Sequence, residues 1–148
     1  MDLYKKTPFH EEKDRILRAL CLFKNKDLLK QTLEFAFSKD VRAQDMYKAI
    51  SFVFANPAGR NLAWDFLKNN WPTIEKRFSG GHLFQRFIKP LQYFTDEKKA
   101  LEIEDFFKNN SSSGLERTIA QVTEQVKANS AWLARDKNKL SSFLQRFK

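Results

Sequence analysis

The stretch NPAGRNLAWDFLKNNWPTIEKRFSGG, from Asn56 to Gly81, decides the fold class. Its apolar residues recur three and four positions apart, which is the spacing of one face of an α-helix. Trp64 and Trp71 lie seven residues apart, or two helical turns, so both fall on that face. Pro72 cannot donate a backbone hydrogen bond, so we expect a kink there or two short helices in line. We interpret the two tryptophans as packing between helices, and a base-stacking or cation–π site beside Arg60 is the alternative.

Capping residues mark the ends of this stretch and of other helices. Asn56 followed by Pro57 predicts a helix start, because proline at the first helical position needs no backbone donor. Ser79, Gly80 and Gly81 predict its end. Three further helix starts are predicted from capping residues, at Asp27, at Thr95–Asp96, and at Ser113 with Glu116 in capping-box spacing.

Helical periodicity continues through nearly every other window of the chain. Four glycines and four prolines in 148 residues leave too few turn signals for a β-rich fold. Paired elements begin near residues 11, 42, 82 and 114, a spacing in the range of two-helix repeats that stack into an α-solenoid. The sequence therefore predicts an all-α protein of about eight helices, with a compact helical bundle as the alternative. We expect a short tail at residues 1–9 and one helical domain at residues 10–148.

The charge and the apolar runs exclude several classes of protein. The net charge of +9 is spread along the chain with acidic residues interleaved, which favours a solvated surface over a nucleic-acid-binding face. No apolar run approaches the 18 residues of a membrane span, and the N-terminus lacks the apolar core of a secretory signal. The single cysteine, Cys21, excludes an intrachain disulfide and lies among apolar helical neighbours. We expect a cytoplasmic protein that binds neither nucleic acid nor a membrane.

The residues that most resemble a catalytic motif fall short of it. The run from His10 to Asp14 begins like the zinc-protease motif H-E-x-x-H, but Asp14 stands where the second imidazole belongs. The other histidine, His82, has no neighbour that would orient it as a base. Gly80-Gly81 lacks the lysine of a phosphate-binding loop. The sequence therefore predicts no catalytic residue and no metal ligand in this chain.

Three segments together resemble one protein family, the C-terminal helical domain of zinc aminopeptidases of the puromycin-sensitive and endoplasmic-reticulum type. NPAGRNLAWDFLKNNWPTIEKRF resembles its Gly-Arg…Ala-Trp-x-Phe…Asn-Trp…Arg-Phe run. EEKDRILRALCLFKNKDLLKQTLEFAFSKDVRAQD is similar to its helix pair and Val-Arg-x-Gln-Asp turn. YFTDEKKALEIEDFFKNN and ERTIAQVTEQVKANSAWLARD resemble its Phe-x-Thr, phenylalanine-pair and Glu…Asn…Trp-Leu patterns. The resemblance runs from about residue 10 to residue 148.

The resemblance implies a right-handed α-superhelix of helix pairs, like HEAT or armadillo repeats, that closes over a catalytic domain. Its concave face helps to form a cavity that holds the peptide substrate, while the zinc ion and its ligands belong to the catalytic domain. No catalytic or metal residue is transferred to this chain. Arg60 is the candidate substrate-binding residue, because arginine pairs well with a peptide carboxylate. The family pattern gives structural positions to Trp64, Trp71, Phe78 and Trp132.

Two functions therefore remain open, and a third is disfavoured. The first is a non-catalytic C-terminal domain of a zinc aminopeptidase, inactive alone, whose partners are the parent catalytic domain and a peptide substrate. The second is a free-standing helical-repeat scaffold that binds a protein or peptide. An exposed apolar flank at the N-terminal end favours the first function, and a polar capping helix there favours the second. An uncapped end would also allow self-association. A basic nucleic-acid-binding solenoid is disfavoured by the even spread of charge.

Overall fold

The computed structural model of the chain describes residues 1–110 and 113–147, and these residues contain helices and no strand. The prediction of an all-α protein is therefore confirmed. The described residues form nine α-helices and one short 3-10 helix, close to the expected number. The chain divides into two compact units, Met1–Pro90 and Leu91–Lys148. The α-helices of the first unit are α1 (Asp2–Lys6), α2 (His10–Leu20), α3 (Lys26–Ala36), α4 (Ala43–Ala55), α5 (Arg60–Asn69), α6 (Trp71–Phe78) and α7 (Gln85–Ile88).

The first unit is built around α4. This helix contacts α2, α3, α5 and α7, and it buries apolar side chains on nearly every turn. The periodic apolar residues of the neighbouring helices meet it, so the helical stripes seen in the sequence form one core. The largest fully buried side chains of this unit are Trp64, Trp71, Tyr4, Phe54, Phe87, Leu17, Leu29, Leu33, Met46, Ile50, Leu67 and Ile74.

The prediction of a helix start at Asn56 is wrong, because this residue ends a helix instead. It is the C-cap of α4, and α5 begins four residues later at Arg60. The side-chain nitrogen of Asn56 donates to the carbonyls of Cys21 (3.0 Å) and Phe23 (2.8 Å), and its oxygen accepts from the amide of Ala58 (3.0 Å). Asn56 therefore connects the α4–α5 turn to the end of α2, and tertiary hydrogen bonds decide its role.

Two of the other predicted caps are also wrong. The N-cap of α3 is Asn25, whose side-chain oxygen accepts from the amides of Asp27 (2.8 Å) and Leu28 (3.1 Å). The capping box at Ser113 does not form, because the N-cap of α9 is Leu115 and the Glu116 carboxylate accepts from the amide of Gly114.

The predictions at Asp96, at Pro72 and at residues 79–81 are confirmed. The Asp96 carboxylate caps α8 by accepting from the Lys98 amide at 3.0 Å. The helical stretch divides at Asn70 into α5 and α6, with Pro72 in the first turn of α6, where it breaks no helical hydrogen bond. Helix α6 ends before Ser79, and Gly80 takes the left-handed backbone conformation there (φ 76°).

The first nine residues, expected as a tail, contain the short helix α1. Tyr4 on this helix is buried, and its ring meets Phe35 edge-on with the centroids 5.2 Å apart. Thr7 donates a hydrogen bond to Glu12 of α2. The domain boundary at residue 10 stays a prediction.

The second unit is a pair of helices, α8 (Glu97–Asn109) and α9 (Glu116–Gln145). Ala100, Ile103 and Phe107 of α8 are buried, as are Val122 and Val126 of α9. A 3-10 helix at Lys89–Tyr93 spans the boundary between the units. In the part of the chain that the structure describes, no helix is both long and apolar enough to cross a membrane.

Candidate functional site

The aromatic residues of the family pattern lie in two different environments. Trp64 and Trp71 are buried, and Trp71 stacks on Phe84 with ring centroids 5.4 Å apart. Phe78 is also buried, 4.7 Å from the ring of Phe87. Trp132 lies on α9 with 54% of its surface exposed. Of the three tryptophans, Trp132 alone presents a large part of its ring to solvent.

Arg60, the candidate substrate-binding residue, is the first residue of α5 and is half-buried. Its Nε donates to the backbone carbonyl of Phe54 at 3.0 Å. This bond satisfies one of the carbonyls at the end of α4, which have no partner within the helix. The contact gives Arg60 a structural role, and its contact with a peptide carboxylate stays a prediction.

Two carboxylates in the run from His10 to Asp14 are engaged by other side chains. Glu12 accepts from Thr7, and Asp14 lies 2.7 Å from Lys48 Nζ. Burial raises the pKa of the Cys21 thiol to about 12, so this thiol is a poor metal ligand at neutral pH. Among the residues that the structure describes, no three histidine, cysteine, aspartate or glutamate side chains are close enough together to hold a metal ion. The described side chains therefore do not fit a zinc site.

Lys48 joins α4 to α2 and also pairs with a buried carboxylate of its own helix. Asp45, 1% exposed, lies 2.8 Å from Arg42 Nε and 2.9 Å from Lys48 Nζ. Burial alone would raise the pKa of Asp45, but the hydrogen bond from Arg42 and the adjacent ammonium group of Lys48 outweigh it, so the pKa lies below the ordinary value. Lys48 also reaches Asp14 of α2, and its own pKa is raised, because these bonds outweigh the desolvation that would lower it. We call Asp14, Arg42, Asp45 and Lys48 the charge cluster.

A cleft of about 300 Å³ lies beside the charge cluster. We call it the α2–α4 cleft, and it is lined by Asp14, Arg15, Leu17, Arg18, Lys48 and Phe52. Arg15 and Arg18 lie one turn apart on α2 and are exposed. The guanidinium of Arg18 lies 5.3 Å from the centre of the Phe52 ring. Among the described residues, neither arginine pairs with a carboxylate.

The α2–α4 cleft suits an anionic group that is attached to an apolar side chain. Two arginines supply donors in the fork geometry that fits a carboxylate, and Phe52 supplies apolar surface. Lys48 adds little free charge, because the two carboxylates of the charge cluster already engage it. Sequence reasoning missed this cleft. The helical spacing of Arg15 and Arg18 was the one sign of this cleft in the sequence. It does not reveal Phe52, which lies 34 residues after Arg18 and meets it only in the folded chain.

A second groove, of about 560 Å³, lies between α8 and α9. Its charged lining is mixed, with three glutamates and two lysines. Lys127 pairs across it with Glu104 at 2.7 Å. Because charges of both signs line its walls, this groove has no strong preference for an anion or a cation, and the α2–α4 cleft is the better candidate site.

Comparison with known proteins supplies the family. A family model described as the ERAP1-like C-terminal domain matches residues 1–128. The chain is 36% identical over 134 residues to "Aminopeptidase M1-C" of Oryza sativa subsp. japonica, covering 90% of this chain and 15% of that protein. It is 33% identical over 132 residues to "Aminopeptidase M1" of Arabidopsis thaliana, with coverages of 88% and 15%. It is 28% identical over 141 residues to "Glutamyl aminopeptidase" of Homo sapiens, with coverages of 93% and 15%. The chain thus spans about 15% of the length of these relatives.

Proposed function

The chain belongs to the family of ERAP1-like C-terminal domains, and on this premise we propose that it is the non-catalytic C-terminal domain of a zinc aminopeptidase. In this proposal its helix pairs stack into a right-handed superhelix that shapes the peptide-substrate cavity of the complete enzyme. Its partners are the catalytic domain, where the zinc ion is expected, and the peptide substrate. A cytoplasmic location stays a prediction.

One observation carries this proposal: 90% of the chain matches an aminopeptidase of rice at 36% identity, while covering 15% of that protein. Such a match supports one domain of a longer enzyme. The N-terminal end does not separate this function from a free-standing scaffold, because α1 carries the exposed Leu3 together with the exposed polar residues Asp2, Lys5 and Lys6.

The α2–α4 cleft is the proposed binding site for the C-terminus of the peptide. A peptide carries one carboxylate at its C-terminus next to a side chain, which matches the two arginines and the apolar wall of the cleft. We assign the carboxylate to Arg15 and Arg18 in preference to Arg60, because Arg60 Nε is engaged by the Phe54 carbonyl.

The experiment that tests the proposal is an aminopeptidase assay of the purified chain on a panel of amino-acid fluorogenic amides, with and without added zinc. We expect no turnover in either condition, because the described residues offer no set of zinc ligands. Zinc-dependent turnover that survives repurification and is lost in His10→Ala would overturn the proposal. The matched control is His82→Ala, which removes the other histidine.

A further inference from the structure

The second half of α9 carries an apolar face that nothing in the described chain covers. Val126 is the last buried residue of this helix, and none of the residues from 130 to 147 is buried. Trp132, Phe143 and Phe147 are 54%, 53% and 74% exposed. We call the face the distal face of α9, and it consists of Trp132, Leu133, Leu140, Phe143, Leu144 and Phe147.

These side chains lie on one side of the helix and of the turn that follows it. At 100° per residue the five within α9 fall within an arc of roughly 120° and extend about 18 Å along the axis, and Phe147 follows in the turn after Gln145. The rings of Phe143 and Phe147 touch, with centroids 4.9 Å apart. An arc of this width is typical of a helix face that packs against a partner.

The charges beside the distal face specify the partner's chemistry. Residues 130–147 carry four basic side chains and one acidic side chain, a net charge of +3. By helical geometry Arg135, Lys139 and Arg146 flank one edge of the face, and Lys137 flanks the other edge. Asp136 lies within the face and is held by Arg135 at 2.7 Å. A partner that fits would have an apolar floor, an acidic rim and a polar group opposite Asp136.

Two simpler occupants fit less well. A lipid surface would have to bury the Asp136 carboxylate among apolar side chains, at a high desolvation cost. A second copy would bring the basic edge of one helix against the same basic edge of another. A single pair of helix faces this short also buries less than the roughly 1,000 Å² expected of a stable interface.

We propose that the distal face of α9 docks into an acidic-rimmed apolar groove on the rest of the parent aminopeptidase. The inference rests on the proposed function and identifies the surface through which the domain joins its enzyme. The relatives are much longer than this chain, which covers 15% of them, so most of the enzyme that could cover the face lies outside these 148 residues. The face also lies beyond residue 128, where the match to the family model ends.

The test is a chimera in which the complete chain replaces the matching region of rice aminopeptidase M1-C. Amide hydrogen exchange at residues 130–147 is measured in the chimera and in the isolated chain. We expect exchange there to slow by about tenfold or more in the chimera. Phe143→Ser with Leu140→Ser should abolish that slowing and leave the isolated chain unchanged. Leu101→Ser on α8, with a similar exposure of 56%, is the matched control and should change neither protein.

The other outcomes separate the two proposals. An active chimera whose distal face exchanges as fast as in the isolated chain would overturn this inference and leave the proposed function standing. A chimera that fails to fold or has no peptidase activity would overturn both. A blue shift of Trp132 fluorescence with phosphatidylserine vesicles but not phosphatidylcholine vesicles would assign the face to a membrane. A dimer in sedimentation that Phe143→Ser dissociates would assign it to a second copy, and either result overturns the inference.

Discussion

Asn56 and Gly59 show how single residues of the family motif fix the fold. Asn56 uses its side-chain oxygen and nitrogen to hold the turn after α4 against the carbonyls of Cys21 and Phe23. Gly59 then lets the chain pass close to α4 before α5 begins. A side chain at position 59 would meet Val53 and Leu29, both of which are fully buried. The motif is therefore explained by packing and hydrogen bonds, with no ligand required.

The first prediction concerns Gly59→Ala. The added methyl carbon would lie 2.6 Å from Val53 Cγ1 and 3.0 Å from the Val53 carbonyl oxygen, so the backbone must shift. We expect a loss of about 1–3 kcal/mol in the free energy of unfolding, measured by urea denaturation. Val53→Ala removes one of the two clashes, so the double variant should lose less stability than the two single variants added together. Strict additivity would show that the close contact does not set the cost.

The second prediction concerns the reactivity of Cys21. Burial raises its pKa to about 12, and its Sγ donates to the Ala49 carbonyl at 3.6 Å. The thiolate fraction at pH 8 is then about one part in ten thousand. We expect Ellman's reagent to leave the native protein unmodified at pH 8 and to react promptly in denaturing urea. Rapid modification without denaturant would show that the end of α2 opens readily.

The capping residues show which features of single residues can be predicted from the sequence and which cannot. Asp96 was predicted correctly because its bond to the Lys98 amide is local. Asn56 was predicted wrongly because its decisive partners lie 33 and 35 residues away. Asp27 was predicted wrongly because α3 begins two residues earlier, where Asn25 accepts from the amides of Asp27 and Leu28. The local sequence thus identifies candidate caps, and contacts in the folded chain determine which of them form.

At the scale of the elements, the charge cluster is the polar link between α2 and α4. Asp45 is the central carboxylate, because Arg42 and Lys48 both lie within 2.9 Å of it. Lys48 extends the link to Asp14 of α2 at 2.7 Å. Tyr4 lies near enough that burial, and then the charge of Asp45, raises the pKa of its hydroxyl.

The third prediction is the pH dependence of stability that Asp45 contributes. Its folded pKa is below the ordinary value of 3.8, so its contribution is fully present above pH 3.8 and is lost as pH falls through the folded pKa. Asp45→Asn should lower the free energy of unfolding by about 1–3 kcal/mol at pH 7 and flatten its decline below pH 3.8. Urea denaturation at several pH values measures both effects.

The control for this prediction is Asp2→Asn, which removes an exposed carboxylate of the same unit. We expect it to leave the decline of stability in acid as steep as in the wild-type protein. An equal decline in the wild type and in Asp45→Asn would contradict the role given to the charge cluster.

The helices themselves could be predicted from the sequence, and the α2–α4 cleft could not. The spacing of apolar residues identifies a helix from a single stretch of sequence. For this reason the break near Pro72 and the burial of Trp64 could both be predicted. The cleft requires Phe52 of α4 to lie beside Arg18 of α2, and only the packing of these two helices supplies that contact. The charge cluster was hidden for the same reason, since Lys48 and Asp14 are 34 residues apart.

At the scale of the whole molecule, the net charge of +9 does not mark a single basic surface. Many cations are neutralised within the fold, including Lys48, Lys99 and Lys127, which pair with carboxylates. Arg15 and Arg18 differ, because in the described structure they line the α2–α4 cleft without such a partner. We therefore expect the position of a cation to matter more for ligand binding than the total charge of the chain.

The last prediction is that Arg15 and Arg18 bind the C-terminal carboxylate of an apolar peptide. A peptide labelled with fluorescein at its N-terminus and ending in phenylalanine should bind the chain in a fluorescence anisotropy titration. Arg15→Gln with Arg18→Gln should weaken its binding by about tenfold or more, because two charge-assisted hydrogen bonds are lost. Lys24→Gln with Lys30→Gln removes the same charge from exposed positions elsewhere in the first unit and should leave the affinity within about twofold. The same peptide with an amidated C-terminus should bind the wild-type chain as weakly as the acid peptide binds the double arginine variant. If both variants weaken binding equally, the attraction is one of net charge. If amidation has no effect, the carboxylate is not the group that binds. Either result would contradict the assignment of the peptide carboxylate to this cleft.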